Sequence, residues 1–140
     1  MTTYSSNPKP INKSNTEVFA AFSDLTKLET LREKIAESGQ VQDFSVSTDE
    51  ISFSVNVAGK VTLRIVECVP NEKIRFTLES ALKNAEVQLN IKETTLTTSE
   101  ITLTLTVEMP MMLKMMLDDK LNDGMDKMAE VIAKGINNDF

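Results

Sequence analysis

From Val41 to Val107 the apolar residues recur at every second position. That spacing commits half the chain to strands with one dry and one wet face. Phe44 and Val46 open the pattern, and Thr48-Asp49-Glu50 turns the chain. Ile51, Phe53, Val55 and Val57 alternate with Ser52, Ser54 and Asn56, and Ala58-Gly59 has the chemistry of a tight hairpin turn. Val61, Leu63 and Ile65 follow. Then Val66 and Cys68 fall out of phase, which predicts a β-bulge near Ile65-Val66 that returns Glu67 to solvent. Past Pro70-Asn71-Glu72-Lys73 the runs Ile74/Phe76/Leu78, Val87/Leu89/Ile91 and Ile101/Leu103/Leu105/Val107 continue the alternation, the last against Thr102, Thr104 and Thr106. Six strands joined by short turns form an antiparallel meander.

The flanks have other periods. Thr3–Ile11 is polar and carries Pro8 and Pro10, which suits an interrupted edge strand or an extended arm. Ser14 and Glu17 form a capping box. Behind it Val18, Phe19, Phe22, Leu25, Leu28, Leu31 and Ile35 recur at helical spacing up to Gly39, with a break at Ser23-Asp24. The expectation is two short helices, 15–23 and 25–38, with Asp24 capping the second. After Pro110, residues 111–136 place Met112, Met115, Met116, Leu121, Met125, Met128, Ile132 and Ile136 three to four apart. A helix of that length is about 40 Å long and crosses the whole domain. Gly124 costs it about 1 kcal/mol relative to Ala and marks a bend or a close approach to the sheet.

At 140 residues the chain makes one domain, 1–140. Fifteen basic against 21 acidic residues give a net charge of −6, which argues against nucleic acid or an anionic membrane as principal partner. Histidine is absent and Cys68 is the single cysteine, so His-based catalysis, an intramolecular disulfide and a thiolate metal cluster are all excluded. Cys68 itself reads as a small buried apolar residue. No cofactor and no metal site is expected; Met109–Met116 lacks the His or second Cys that would accompany a copper site. No run approaches the ~20 apolar residues of a membrane span or the shape of a signal peptide, so a soluble, cytoplasmic protein is expected.

The order of strand, two short helices, six meandering strands and long C-terminal helix resembles the START/Bet v 1-like (SRPBCC) superfamily. Within it, the order is similar to small bacterial polyketide cyclase/dehydrase-like proteins. SNTEVFAAFSDLTKL is similar to the family's capped first helix and Ser-Asp break, and VECVPNEKIRFTLES to its strand, Pro-containing turn and strand. The Thr-rich last strand and the amphipathic helix complete the likeness. The family often has an aromatic residue shortly after the Ser-Asp break, where this chain has Leu28 and Leu31. The resemblance implies an α+β helix-grip fold, a curved seven-stranded antiparallel sheet wrapped around the long helix. It also implies a cavity for lipids, sterols, polyketides or other apolar molecules.

The alternation nominates the lining. From the sheet come Phe53, Val55, Leu63, Ile65, Phe76, Leu89, Leu103 and Leu105; from the helix come Met112, Met116, Leu121, Met125 and Met128. Thioether side chains repack readily around ligands of varied shape. The expected partner is therefore an apolar small molecule, and a homodimer is compatible with this. No catalytic residue is nominated. An enzyme of the cyclase type would need an inward carboxylate, and Glu67 qualifies only without the bulge. Tyr4, Arg64 and Arg75 could orient a polar ligand group if they pointed inward, but alternation puts both arginines in solvent. A protein-interaction module with an exposed Met surface, toxin-like or chaperone-regulator-like, is the third reading.

Overall fold

The structure, a computed structural model, describes residues 2–26, 29, 42–55, 59–80 and 83–139. The strands are β1 (Thr2–Ser5), β2 (Lys9–Ile11), β3 (Gln42–Val46), β4 (Glu50–Val55), β5 (Gly59–Val69), β6 (Lys73–Glu79), β7 (Lys83–Glu93) and β8 (Ser99–Glu108). The helices are α1 (Asn15–Ser23) and α2 (Met111–Asp139). All strand pairs are antiparallel, in the order β1-β8-β7-β6-β5-β4-β3, with β2 also on β8. Eight strands therefore occupy seven positions across the sheet, the helix-grip arrangement that the sequence implied.

The N-terminal edge strand breaks where its residues cannot continue a ladder. Ser6 keeps contact with β8 by donating its N–H to Leu103 O and taking Leu103 N–H on its own Oγ. Asn7 N–H turns to Asp126 of α2, and Pro8 has no N–H to offer. Pairing resumes at Lys9.

The bulge lies where the phase slip predicts it. Ile65 pairs with Phe76 and Glu67 with Arg75, leaving Val66 as the extra residue. Glu67 consequently sits on the outer face, 3.4 Å from Arg75 and 3.8 Å from Lys73. Arg64 lies on that face too, against Glu50 and Glu79, and Arg75 also meets Glu86. Cys68 corrects its expectation. It registers with the buried Ile74, yet it lies at the far end of β5 and is exposed.

Helix α1 begins on the Ser14 cap: Ser14 Oγ takes the Glu17 N–H, while the Glu17 carboxylate accepts from the Ser14 hydroxyl in place of the backbone N–H of a full capping box. It packs against β6 and β7 with Val18, Ala21 and Phe22 buried. Asp24 takes the Thr26 N–H and hydroxyl, a local cap. The second short helix expected over 25–38 lies, beyond Leu25 and Thr26, outside the described residues except for Glu29. Val57 and Ala58 are likewise outside them; Gly59 takes the positive φ of +69° that a hairpin turn asks of glycine.

Gly124 makes no close approach to the sheet, since a Cβ placed there would meet nothing within 4 Å. Its remaining consequence is a loss of helix propensity. Gly124→Ala should raise unfolding stability by about 0.5–1 kcal/mol, read as a higher urea midpoint at unchanged m-value. A loss of stability would show that the backbone at this position is not ordinary helix.

Candidate functional site

The inner face of the sheet is a set of cross-strand rows. One runs Ile51–Leu63–Leu78–Ala85 and the next Ile65–Phe76–Val87–Leu105–Tyr4, with Ile74–Leu89–Leu103 beside them. Burial changes along these rows. Phe76, Val87, Leu89, Leu103, Leu105 and Tyr4 are all at most 7% exposed, whereas Phe53, Leu63, Ile65 and Leu78 are only half-buried. The inner face is sealed over β7, β8 and β1 and also at Ile51, Val61, Ile74 and Phe76, and is partly open at Phe53, Leu63, Ile65 and Leu78.

Two helices share the cover: α1 packs on β6 and β7, and α2 is tied to the β1–β2 edge. The Tyr4 hydroxyl donates to Asp118 Oδ1, and Asn7 N–H and Lys9 Nζ both reach Asp126, at 2.9 and 3.0 Å. Asn12 N–H donates to Asn137 Oδ1, whose Nδ2 donates to Pro10 O. Three positions along α2 are thus bonded to residues 4–12. Between them Ala129, Ala133 and Ile136 are buried, small or branched side chains that let the helix sit close. At 100° per residue, Leu121, Met125, Met128 and Ile132 occupy the flank turned away from Asp126 and Asn137, hence toward β4–β6. All four are half-buried and pack against the core. The candidate site is this groove, with Leu63, Ile65 and Leu78 as its floor and Leu121, Met125 and Met128 as its wall.

The residues nominated from sequence divide accordingly. Phe53, Leu63, Ile65, Leu121, Met125 and Met128 are all half-buried and pack against the core. Phe76, Leu89, Leu103 and Leu105 belong instead to the closed core, where α1 packs on β6 and β7 and α2 on β8. Met112 and Met116 are 77% and 69% exposed, so they are not held between sheet and helix; the first turns of α2 run beyond the surface that covers its later ones. Val55 contributes a backbone position opposite Gly59. Leu78 was missed, though the same period-two signal marks it. Asp118 and Asp126 have no local signal for this role, because their partners lie more than 110 residues away in sequence.

The electrostatics belong to the helix anchor rather than to the groove. Burial, the bond to Asp118 and the nearby carboxylate charge push the Tyr4 phenol up to about 12. The Asn7 N–H and the Lys9 ammonium hold the Asp126 carboxyl below its ordinary value. Arg64 and Arg75 stay in outer-face ion pairs, and Glu67 with them. A shallow depression of about 300 Å³ at the β3–β4 edge is lined mainly by Asp43, Ser45, Ser52, Ser54 and Lys60 and is polar. Among the described residues no group of three His, Cys, Asp or Glu is placed to hold a metal. No described helix is long and apolar enough to cross a membrane.

No protein-family model matches the sequence, and a search of the curated proteins returns no match. The fold nonetheless has solved counterparts. Truncated norcoclaurine synthase from Thalictrum flavum is similar at TM-score 0.75 and 8% identity, covering 99% of this chain and 96% of that one. The Aha1 dimer from Colwellia psychrerythraea is similar at TM-score 0.67 and 12% identity, covering 99% and 98%. A START superfamily protein from Mycobacterium smegmatis is similar at TM-score 0.62 and 10% identity, covering 96% of each. At these identities the likeness is one of fold: the chain has the START/Bet v 1-like helix-grip fold.

Tyr4 is the only tyrosine, and tryptophan is absent, so its ionisation can be followed directly by near-ultraviolet absorbance. The unfolded phenol titrates near pH 10. A folded value raised above that stabilises the protein fully below about pH 10, and the contribution fades as pH rises through about 12. Native protein should therefore titrate near 12, and Asp118→Asn should return part of the shift. A wild-type midpoint at 10 with the fold intact would show that Tyr4 is not bonded beneath α2.

Proposed function

We propose that this domain binds an apolar small molecule, a lipid, sterol, polyketide or similar compound, in the groove between β4–β6 and the flank of α2. The observation that carries the reading is the burial contrast within one sheet face. Ile65 and Leu105 lie in the same cross-strand row, but only Leu105 is closed off. Partly exposed aliphatic and thioether side chains on both sides of a groove offer a ligand apolar contact at about 25 cal/mol per Å² removed from water. Met125 and Met128 add an adaptable wall. START and Bet v 1-like neighbours support the same reading through the properties of their superfamily.

The proposal is for binding and not catalysis. A cyclase/dehydrase-type enzyme would use an inward carboxylate. Asp118 is bonded by the Tyr4 hydroxyl and lies 3.9 Å from Lys114, an arrangement that holds the helix. Glu67, the other carboxylate considered, faces outward. The reading places the protein in the cytoplasm and includes pairing of two copies, as in the Colwellia protein, whose structure is that of a dimer.

Native mass spectrometry of protein incubated with fatty acids, sterols and aromatic polyketides should show stoichiometric adducts with at least one class. Ile65→Trp, which fills the groove from its floor, should weaken that binding about tenfold or more, a loss of ~1.4 kcal/mol. Binding unaffected by Ile65→Trp, or no adduct across the panel, would contradict the proposal.

A further inference from the structure

Helix α2 begins with an apolar surface that stands exposed among the described residues. Met111, Met112, Met115 and Met116 are 72%, 77%, 77% and 69% exposed, and Leu113 is 38% exposed. Met111 and Met115 precede Ala129 and Ala133 by 18 residues, five full turns, so they lie on the same side of the helix. Ala129 and Ala133 are 0% and 6% exposed. The stripe that docks α2 onto the sheet therefore continues past the sheet into water. Met112 and Met116 widen it to an arc of about 140°. A surface helix normally confines its apolar residues to the face it buries.

We propose that this Met-faced first segment of α2 is a two-fold interface with a second copy of the chain. The inference rests on the reading that the protein pairs with itself, and it names the surface. Three observations select this occupant. The first is area: four such methionines leave roughly 600 Å² in water, the upper end for a monomer's largest apolar patch. Doubled across a two-fold axis they withdraw about 1,200 Å², where specific interfaces begin. The second is charge. The helix segment that follows carries both signs, with Lys120 between Asp119 and Asp123 in sequence. That mixture suits a copy of itself better than a uniformly basic partner, and the net charge of −6 opposes an anionic bilayer. The third is side-chain type: an isologous contact must be self-complementary, and unbranched thioethers interdigitate with copies of themselves without demanding one fixed shape.

Sedimentation equilibrium from low micromolar to sub-millimolar concentration tests this on the full chain. Wild type should be a dimer. Met112→Glu/Met116→Glu should weaken dimerisation about a hundredfold or more, leaving the circular dichroism spectrum unchanged because both side chains are exposed on the protomer, and making the melting temperature independent of concentration. Leu96→Glu, at an 87% exposed position in the turn before β8, should leave the dimer intact. A monomeric wild type overturns both self-association and the surface. A dimer that survives the double substitution overturns the surface alone. A monomeric wild type whose Met segment partitions into zwitterionic vesicles, with partition lost in the double variant, would assign the surface to lipid and overturn the proposal. Adduct formation in the native mass spectra reports on the groove separately.

Discussion

The structure depends on a mismatch of width between the sheet and the helix it grips. Seven strand positions at about 4.8 Å spacing make an inner face roughly 29 Å across, whereas a helix with its side chains covers about 10–12 Å. Curvature closes part of the difference. The remainder must be filled by other elements or left as apolar surface facing a space. This chain places its helix to one side: the anchor residues Asp118, Asp126 and Asn137 tie α2 to residues 4–12. The positions beneath it are sealed, and Phe53, Leu63, Ile65 and Leu78 on β4 to β6 are only half covered. Lateral placement of α2, with α1 over β6 and β7, therefore divides a continuous apolar face into a core and a candidate binding surface.

The anchor is polar, which explains how it can be specific without drawing the helix to the middle of the sheet. Burying apolar area is non-directional and would favour a central position with the most contact. Bonds from Tyr4, Asn7, Lys9 and Asn12 have direction and fix α2 beside the β1–β2 edge. The interruption of the edge strand at Ser6-Asn7-Pro8 is part of the same device. It releases the Asn7 N–H from the ladder and makes it available to Asp126. A straight β1 running from Thr2 to Ile11 would spend that donor on β8.

Much of this was legible before any coordinates. Period two located all six strands after residue 40, and the phase slip at Val66 located the bulge, because a register change is a local event that leaves a local trace. Ser14 and Glu17 marked the start of α1, and Pro110 the start of α2, for similar reasons. What was not legible depends on where α2 lies across the sheet. Alternation says that Leu63 and Leu105 face inward alike; it does not say that α2 covers one and not the other. Met112 and Met116 follow the same period as Met125 and Met128, but the period carries no information on where the sheet ends. Cys68 shows the same limit, with an inward register and an exposed position at the strand's end.

The central claim is that the half-covered rows hold an apolar molecule. Methyl-resolved NMR during titration with a ligand identified by adduct formation tests it directly. Shifts concentrated on Leu63, Ile65, Leu78, Leu121, Met125 and Met128, with Val87, Leu103 and Leu105 nearly still, are what the account predicts. Shifts confined to Met111–Met116, or spread evenly through the sealed rows, would contradict it.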